Sequence, residues 1–183
     1  MASQITTKKG DDGCSQLYSG ERLNKNAIEF QMNGLLDRLQ SELGVARCFC
    51  ENTYARERLY AIQQYLFGVM SEVATRFRDM DDPKRKRVRV IDQKEMDLFE
   101  KVHEVLEDMI EFPKDFVVPG AYNSKGGAFI DVARCTARDC ERKYVEMPIQ
   151  NKFMLQYLNR LSDHLWLLVR LEEGRSLMRE KKV

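Results

Sequence analysis

Arg134, Arg138, Glu141 and Arg142 recur at i, i+4, i+7 and i+8. On a helix of about 3.6 residues per turn this spacing places three guanidiniums and a carboxylate on one side. Ala133, Ala137, Cys140 and Tyr144 fall on another side, a stripe of mostly small residues that lets the helix pack close to a neighbour. Grouped arginines suit a polyphosphate: each guanidinium forks onto its oxygens, and the carboxylate can serve a metal or fix an arginine. A solvated face with i,i+4 pairs has the same spacing, so spacing alone leaves both readings open.

A second candidate lies at the start of the chain. Thr6, Thr7, Lys8, Lys9, Gly10, Asp11, Gly13, Gly20, Arg22 and Lys25 bring glycines, hydroxyls and cations together. Glycines let backbone N–H groups close on an anion, and Lys and Thr add charge and hydrogen bonds. The spacing is not that of a Walker A loop. A polar terminal segment with no binding role has a similar composition.

Helical patterns supply the elements that would position these groups. Ile28, Met32, Leu35, Leu36, Leu39 and Leu43 predict a first helix ended by Gly44. Leu59, Ile62, Leu66, Val69, Met70, Val73 and Phe77 predict a second, running to about residue 79. Asp92 and Glu95 form a capping-box pattern opening a third, with Phe99, Val102, Leu106, Met109 and Ile110 inside. The arginine helix is the fourth, over roughly 125–146 and stopped before Pro148. The fifth carries Met154, Leu158, Leu161, Leu165, Leu168 and Leu171.

No alternating strand pattern and no repeat is evident. The expectation is an all-α, five-helix bundle with ferritin-like up-and-down packing. It forms a single domain over 1–183: an ordered N-terminal loop over 1–26, the bundle over 27–173 and a tail over 174–183. The stretch 112–126 reads as a long connection with an apolar centre, a kind of loop that is often functional. The basic run 83–89 could meet phosphates or act as a nuclear signal, and is taken as a solvated linker.

The bulk numbers narrow the classes. The 183 residues give room for one sizeable core, and a net charge of +1 argues against a general nucleic-acid or membrane-surface binder. Five scattered cysteines suggest reduced thiols, and two histidines far apart in sequence make a protein zinc site unexpected. No apolar run reaches membrane-spanning length. The glycine motif follows the first residues directly, so the expected compartment is the cytoplasm, or an organelle if a leader has been trimmed.

Five blocks in order carry a family resemblance. The segment Thr7 to Lys25 resembles T-x-T-G-D-x-G-x-T-x-L-x-x-G-x-R-x-x-K, the signature of PduO-type ATP:cob(I)alamin adenosyltransferases. Gly34 to Ser41 resembles that family's G-x-x-D-E-L-N-S, and Phe116 to Gly120 its F-I-L-P-G. Ala133 to Arg142 resembles A-R-x-x-x-R-R-A-E-R, and Tyr157 to Asp163 resembles Y-L-N-R-L-S-D. Together the blocks span about residues 5–171.

The resemblance implies an enzyme that transfers the 5′-deoxyadenosyl group of ATP to cob(I)alamin, releasing triphosphate and making adenosylcobalamin. It implies a homotrimer with active sites between subunits, and ATP, Mg2+ and cobalamin as ligands. An electron-supplying reductase and an adenosylcobalamin-dependent enzyme are the implied partners; neither nucleic acid nor membrane is. By position, Thr7, Gly10, Asp11, Gly13 and Lys25 would line the phosphate loop. Arg138, Glu141, Arg142 and Asn159 would contact ATP, with Glu141 on the magnesium side. Asp37 and Arg134 would form an inter-subunit ion pair. Phe116 would sit under the corrin and displace the lower ligand of cobalt.

Some positions depart from that pattern. Lys9 replaces a threonine, Asp131 stands where many members have histidine, and Ser124 to Gly127 include a short insertion. Arg38 replaces a glutamate and Asp139 an arginine. This reciprocal change of sign suggests that Arg38 and Asp139 face each other within about 8 Å as an ion pair. Lys9 and Asp139 also support an alternative: a weak or inactive member that binds and delivers corrinoid or ATP. A third reading, without the family, is a helical interaction module.

Overall fold

Met32, Leu36, Leu39 and Leu43 are all fully buried along α1 (Ile28–Phe49), because three- and four-residue spacing puts them on one face. The computed structural model describes residues 6, 8–75, 90–148 and 150–174. Thr7, residues 76–79, the basic run 83–89 and most of the expected tail lie outside the described residues. Four more helices follow α1: α2 (Thr53–Thr75), α3 (Gln93–Asp108), α4 (Lys125–Val145) and α5 (Lys152–Glu172). The expected all-α architecture of five helices is the one observed. No described helix is long and apolar enough to cross a membrane.

The sequence reading differs from the structure at several edges. α1 does not end at Gly44 but continues to Phe49, and Ala46 extends its buried face. A helical glycine costs only about 1 kcal/mol, less than the gain from keeping that face in the core. Met109 caps α3 and Ile110 lies past it, so both pack into the core from outside the helix. The N-terminal segment is not only a loop. It contains a hairpin, with β1 (Cys14–Gln16) antiparallel to β2 (Arg22–Asn24) and Ser15 opposite Leu23. Leu17 at its turn is buried, and the Ser19 N–H donates to the Ala74 carbonyl at the end of α2.

Helix starts follow the expected cap chemistry. Asp92 accepts from the Glu95 N–H at 3.0 Å, Ser124 from the Gly127 N–H at 3.0 Å, and Asn151 from the Phe153 N–H at 3.0 Å. Asn151 also donates to Glu72 and to the Ile91 carbonyl, tying α5 to α2 and to the approach to α3.

α4 packs most extensively against α1 on one side and α5 on the other. Its small stripe makes that approach possible: Ala133, Ala137, Cys140 and Tyr144 are all buried. At its first turn Gly126 lies so close to the end of α1 that a Cβ there would meet the Cys50 Cα at 2.9 Å. The carboxylate of Glu172 closes the same end, accepting from the N–H groups of Glu51 and Asn52 ahead of α2 at 2.8 and 3.0 Å. The arginine-bearing side of α4 is thus held on a rigid element between two neighbours.

Candidate active site

Burial of the small stripe turns Arg134, Arg138, Glu141 and Arg142 away from the core. Arg138 and Arg142 are exposed; Arg134 and Glu141 are half-buried. Asn159 on α5 donates to the Glu141 carboxylate at 2.7 Å, so the two elements present one polar surface. Arg138 reaches the Ser162 hydroxyl at 3.5 Å and makes no ion pair among the described residues. Its guanidinium retains most of its donors for an incoming anion.

The other two arginines each hold an acid one turn back. Arg134 donates from Nε to Asp131 at 2.5 Å, and Arg142 donates to Asp139. Burial works against the charge on Arg134, yet the Asp131 hydrogen bond and carboxylate raise its pKa above the usual arginine value. Sequence reasoning missed Asp131 and Ser162 as partners, although the i,i+3 spacing of Asp131 and Arg134 was there to be read.

Arg38 and Asp139 make no direct ion pair among the described residues of one chain. Arg38 donates to Glu42 at 2.8 Å on its own helix, and Asp139 is taken by Arg142. Glu42 is the main cause of the raised pKa of Arg38; the Asp139 charge adds to it across the α1–α4 contact. A partner one turn away on the same helix is already in reach, whereas a cross-helix pair must be brought together by packing. Asp37 is exposed beside Arg38 on α1, and its side chain makes no ion pair among the described residues.

At the N-terminus, Lys25 Nζ donates to the Gly10 carbonyl at 2.6 Å, and the Lys25 N–H donates to the Gly13 carbonyl at 2.9 Å. Gly13 has φ of +81°, a backbone state that favours glycine. Arg22 closes the turn from the other side, donating to the Lys9 carbonyl at 3.3 Å and pairing with Asp12. The Cys14 N–H does most to lower the Asp12 pKa; desolvation opposes it, and the Arg22 guanidinium lowers it further. The result is an open concavity of about 400 Å3 lined by Lys9, Gly10, Cys14, Ser15, Gln16 and Arg22. Asp11, next to Gly10 in the chain, is exposed and does not line it. Arg22 and Asp12 are further residues that shape it, and Thr7 lies outside the described residues.

Within one chain these two sites stay apart: neither hairpin strand packs on α4 or α5. Phe116 belongs to neither. It sits in the connection between α3 and α4 with its ring wholly in solvent, at 106% relative exposure. Phe112 anchors that connection by stacking on Trp166 at 5.9 Å, and Gly120, at φ +80°, turns it back toward α4. An unsupported aromatic ring held out by an ordered loop is suited to meeting an apolar ligand or another chain.

A cobalamin adenosyltransferase family model matches residues 5–172. The chain is 31% identical over 173 residues to corrinoid adenosyltransferase PduO of Salmonella typhimurium, covering 93% of this chain and 50% of that protein. It is 29% identical over 174 residues to a corrinoid adenosyltransferase of Citrobacter freundii, covering 93% of this chain and 95% of that one. The chain therefore spans about half the length of the PduO relatives it matches. Among solved structures, it superposes on a PduO-type ATP:corrinoid adenosyltransferase from Lactobacillus reuteri with a TM-score of 0.79 at 26% identity. That match covers 93% of this chain and 94% of the other, a phenylalanine-to-alanine variant complexed with cobalamin and ATP.

Proposed function

The chain belongs to the cobalamin adenosyltransferase family, and on that premise we propose that it transfers the 5′-deoxyadenosyl group of ATP to cob(I)alamin. The observation that carries this reading is the grouping of Arg138, Glu141, Arg142 and Asn159 on one surface of α4 and α5. These side chains suit a triphosphate and offer neither a nucleophile nor a general base. The reaction needs neither. The cobalt electron pair attacks C5′ and becomes the Co–C bond, while the C5′–O bond breaks and triphosphate leaves with the electrons of that broken bond. The protein aligns cobalt with C5′ and stabilises charge on the leaving group.

Arg138 binds the triphosphate with its free donors. Arg142 joins it by exchanging Asp139 for phosphate oxygens, and Asn159 keeps Glu141 oriented. Thr7, Gly10, Asp11, Gly13 and Lys25 form the loop that closes on the phosphates from a second chain. The separation of hairpin and arginine helix within one chain supports that division, and the family resemblance supports a homotrimer. Asp37 of one chain meets Arg134 of the next and sets the two halves in register.

Magnesium fits this site as a metal carried by the nucleotide. No group of three or more His, Cys, Asp or Glu among the described residues could hold an ion alone. Glu141, held by Asn159 on the same surface as Arg138 and Arg142, is the carboxylate that would take the metal, with phosphate oxygens completing the set. The metal supplies charge neutralisation for the leaving triphosphate.

Phe116 faces the corrin and keeps the lower side of cobalt free of its ligand, which makes cobalt(II) easier to reduce. A reductase supplies that electron, and an adenosylcobalamin-dependent enzyme takes the product. The whole chain acts as one domain in the cytoplasm. Incubation with ATP, magnesium and chemically reduced cob(I)alamin tests the proposal. The absorbance of adenosylcobalamin should appear with one triphosphate per turnover; bound ATP or corrinoid with no product would leave a delivery protein instead.

A further inference from the structure

Arg134 is a long, mostly buried side chain whose direction is not set by packing alone. Two acids compete for it. Asp131, one turn back on α4, accepts from Nε at 2.5 Å, and the carboxylate of Asp163 on α5 also acts on its charge. The Asp131 side chain is only 12% exposed and that of Arg134 24%, so the pair is shielded from water. Behind Asp131 stands a second ion pair, Arg170 with Glu173 at 3.1 Å, at the end of α5. The negative charge of Asp131 reaches Glu173 as well. Arg134 is thus the partner of Asp131, and the like charge of Glu173 at the end of α5 disfavours any turn of Asp131 that way.

We propose that Asp131 is a positioning residue that fixes the Arg134 guanidinium so that its Nη edge faces the acid of a neighbouring chain. The inference rests on the reading that this side of α4 meets another subunit. A guanidinium carries five N–H donors in a planar fork. Asp131 takes the Nε donor and thereby sets the plane of the group. Nη2 lies 3.5 Å from the Cys135 sulfur, a weak acceptor that leaves this edge available. Asp37, exposed on α1 and without an ion pair among the described residues, is the acid that edge would meet. Without Asp131, Asp163 on α5 is the acid left acting on the Arg134 charge, and Arg134 swings toward α5. That movement removes the inter-chain contact and crowds Arg138 beside Ser162.

Asp131→Ala and Asp131→Asn separate orientation from bulk stability. Asparagine keeps an oxygen at the Nε position, whereas alanine removes it. In sedimentation equilibrium, Asp131→Ala should weaken subunit association by about tenfold or more, and Asp131→Asn by about threefold. In the transfer assay, Asp131→Ala should raise the KM for ATP by a similar factor and change kcat by less than about threefold. Both variants should melt within a few degrees of the parent chain. Unchanged association for Asp131→Ala would overturn the inference, as would equal losses in both variants or a parent chain that is monomeric. A parent chain that associates as expected but forms no adenosylcobalamin would sink the proposed reaction and leave the positioning role to be read from association alone.

Discussion

His103 and His164 face each other from α3 and α5 with their Nδ1 atoms 3.3 Å apart. They lie far apart in sequence, and only the packing of these helices makes them a pair. His164 is fully buried, with the Phe99 ring 5.0 Å away. A hydrogen bond between two Nδ1 atoms needs one ring to donate and the other to accept, so two imidazolium ions cannot share this site.

Acid should therefore destabilise the fold through His164. Burial first, and then the charges of His103 and Arg58, push its pKa down from 6.5 to about 3. Between those values the unfolded chain binds a proton that the folded chain excludes, so stability falls as pH falls through 6.5 toward 3. The expected slope is at most about 1.4 kcal/mol per pH unit from this residue. Urea unfolding at stepped pH checks it: His164→Gln should flatten that part of the profile. An equal slope in the variant would remove His164 as the cause.

Phe116→Ala should separate turnover from folding. The ring touches no core, so the melting midpoint should move by no more than about 1 °C, as for a surface change worth under about 0.5 kcal/mol. Formation of adenosylcobalamin should drop by about tenfold or more, with the KM for ATP within about threefold of the parent value. A collapse of ATP affinity would place Phe116 at the nucleotide instead.

Arg138→Ala should act on ATP alone. The lost charge-assisted hydrogen bonds are worth about 2–3 kcal/mol, equivalent to about 30- to 150-fold in kcat/KM for ATP. Because Arg138 is exposed and its partner among the described residues is a hydroxyl at 3.5 Å, thermal stability should be nearly unchanged. Steady-state kinetics at saturating cob(I)alamin would show the effect, and a wild-type kcat/KM would exclude Arg138 from the site.

Much of this was legible in the chain because helices write their buried faces at regular spacing. The leucine stripes, the Asp92 cap and the division of α4 between a small buried stripe and an arginine face all follow from local periodicity. The hairpin did not, since strands of three residues such as Cys14–Gln16 are too short to show alternation. Gly44 looked like a stop, but burial of Leu43 and Ala46 outweighs one glycine. The opposite charges of Arg38 and Asp139 suggested a pair, yet each found a closer partner on its own helix. The pairing of His103 with His164 depends on which helices touch, information that no local pattern carries.

Mixed assemblies of two damaged chains test most directly whether the phosphate loop of one chain works with the arginine helix of another. Lys25→Ala spoils the loop and Arg138→Ala spoils the helix, so either variant alone should show almost no transfer. Co-expressed and purified together as mixed trimers that each hold both variants, they should regain about a third of the parent activity, because one of the three sites then combines an intact loop with an intact helix. Mixed trimers as inactive as either parent variant would contradict a site shared between chains.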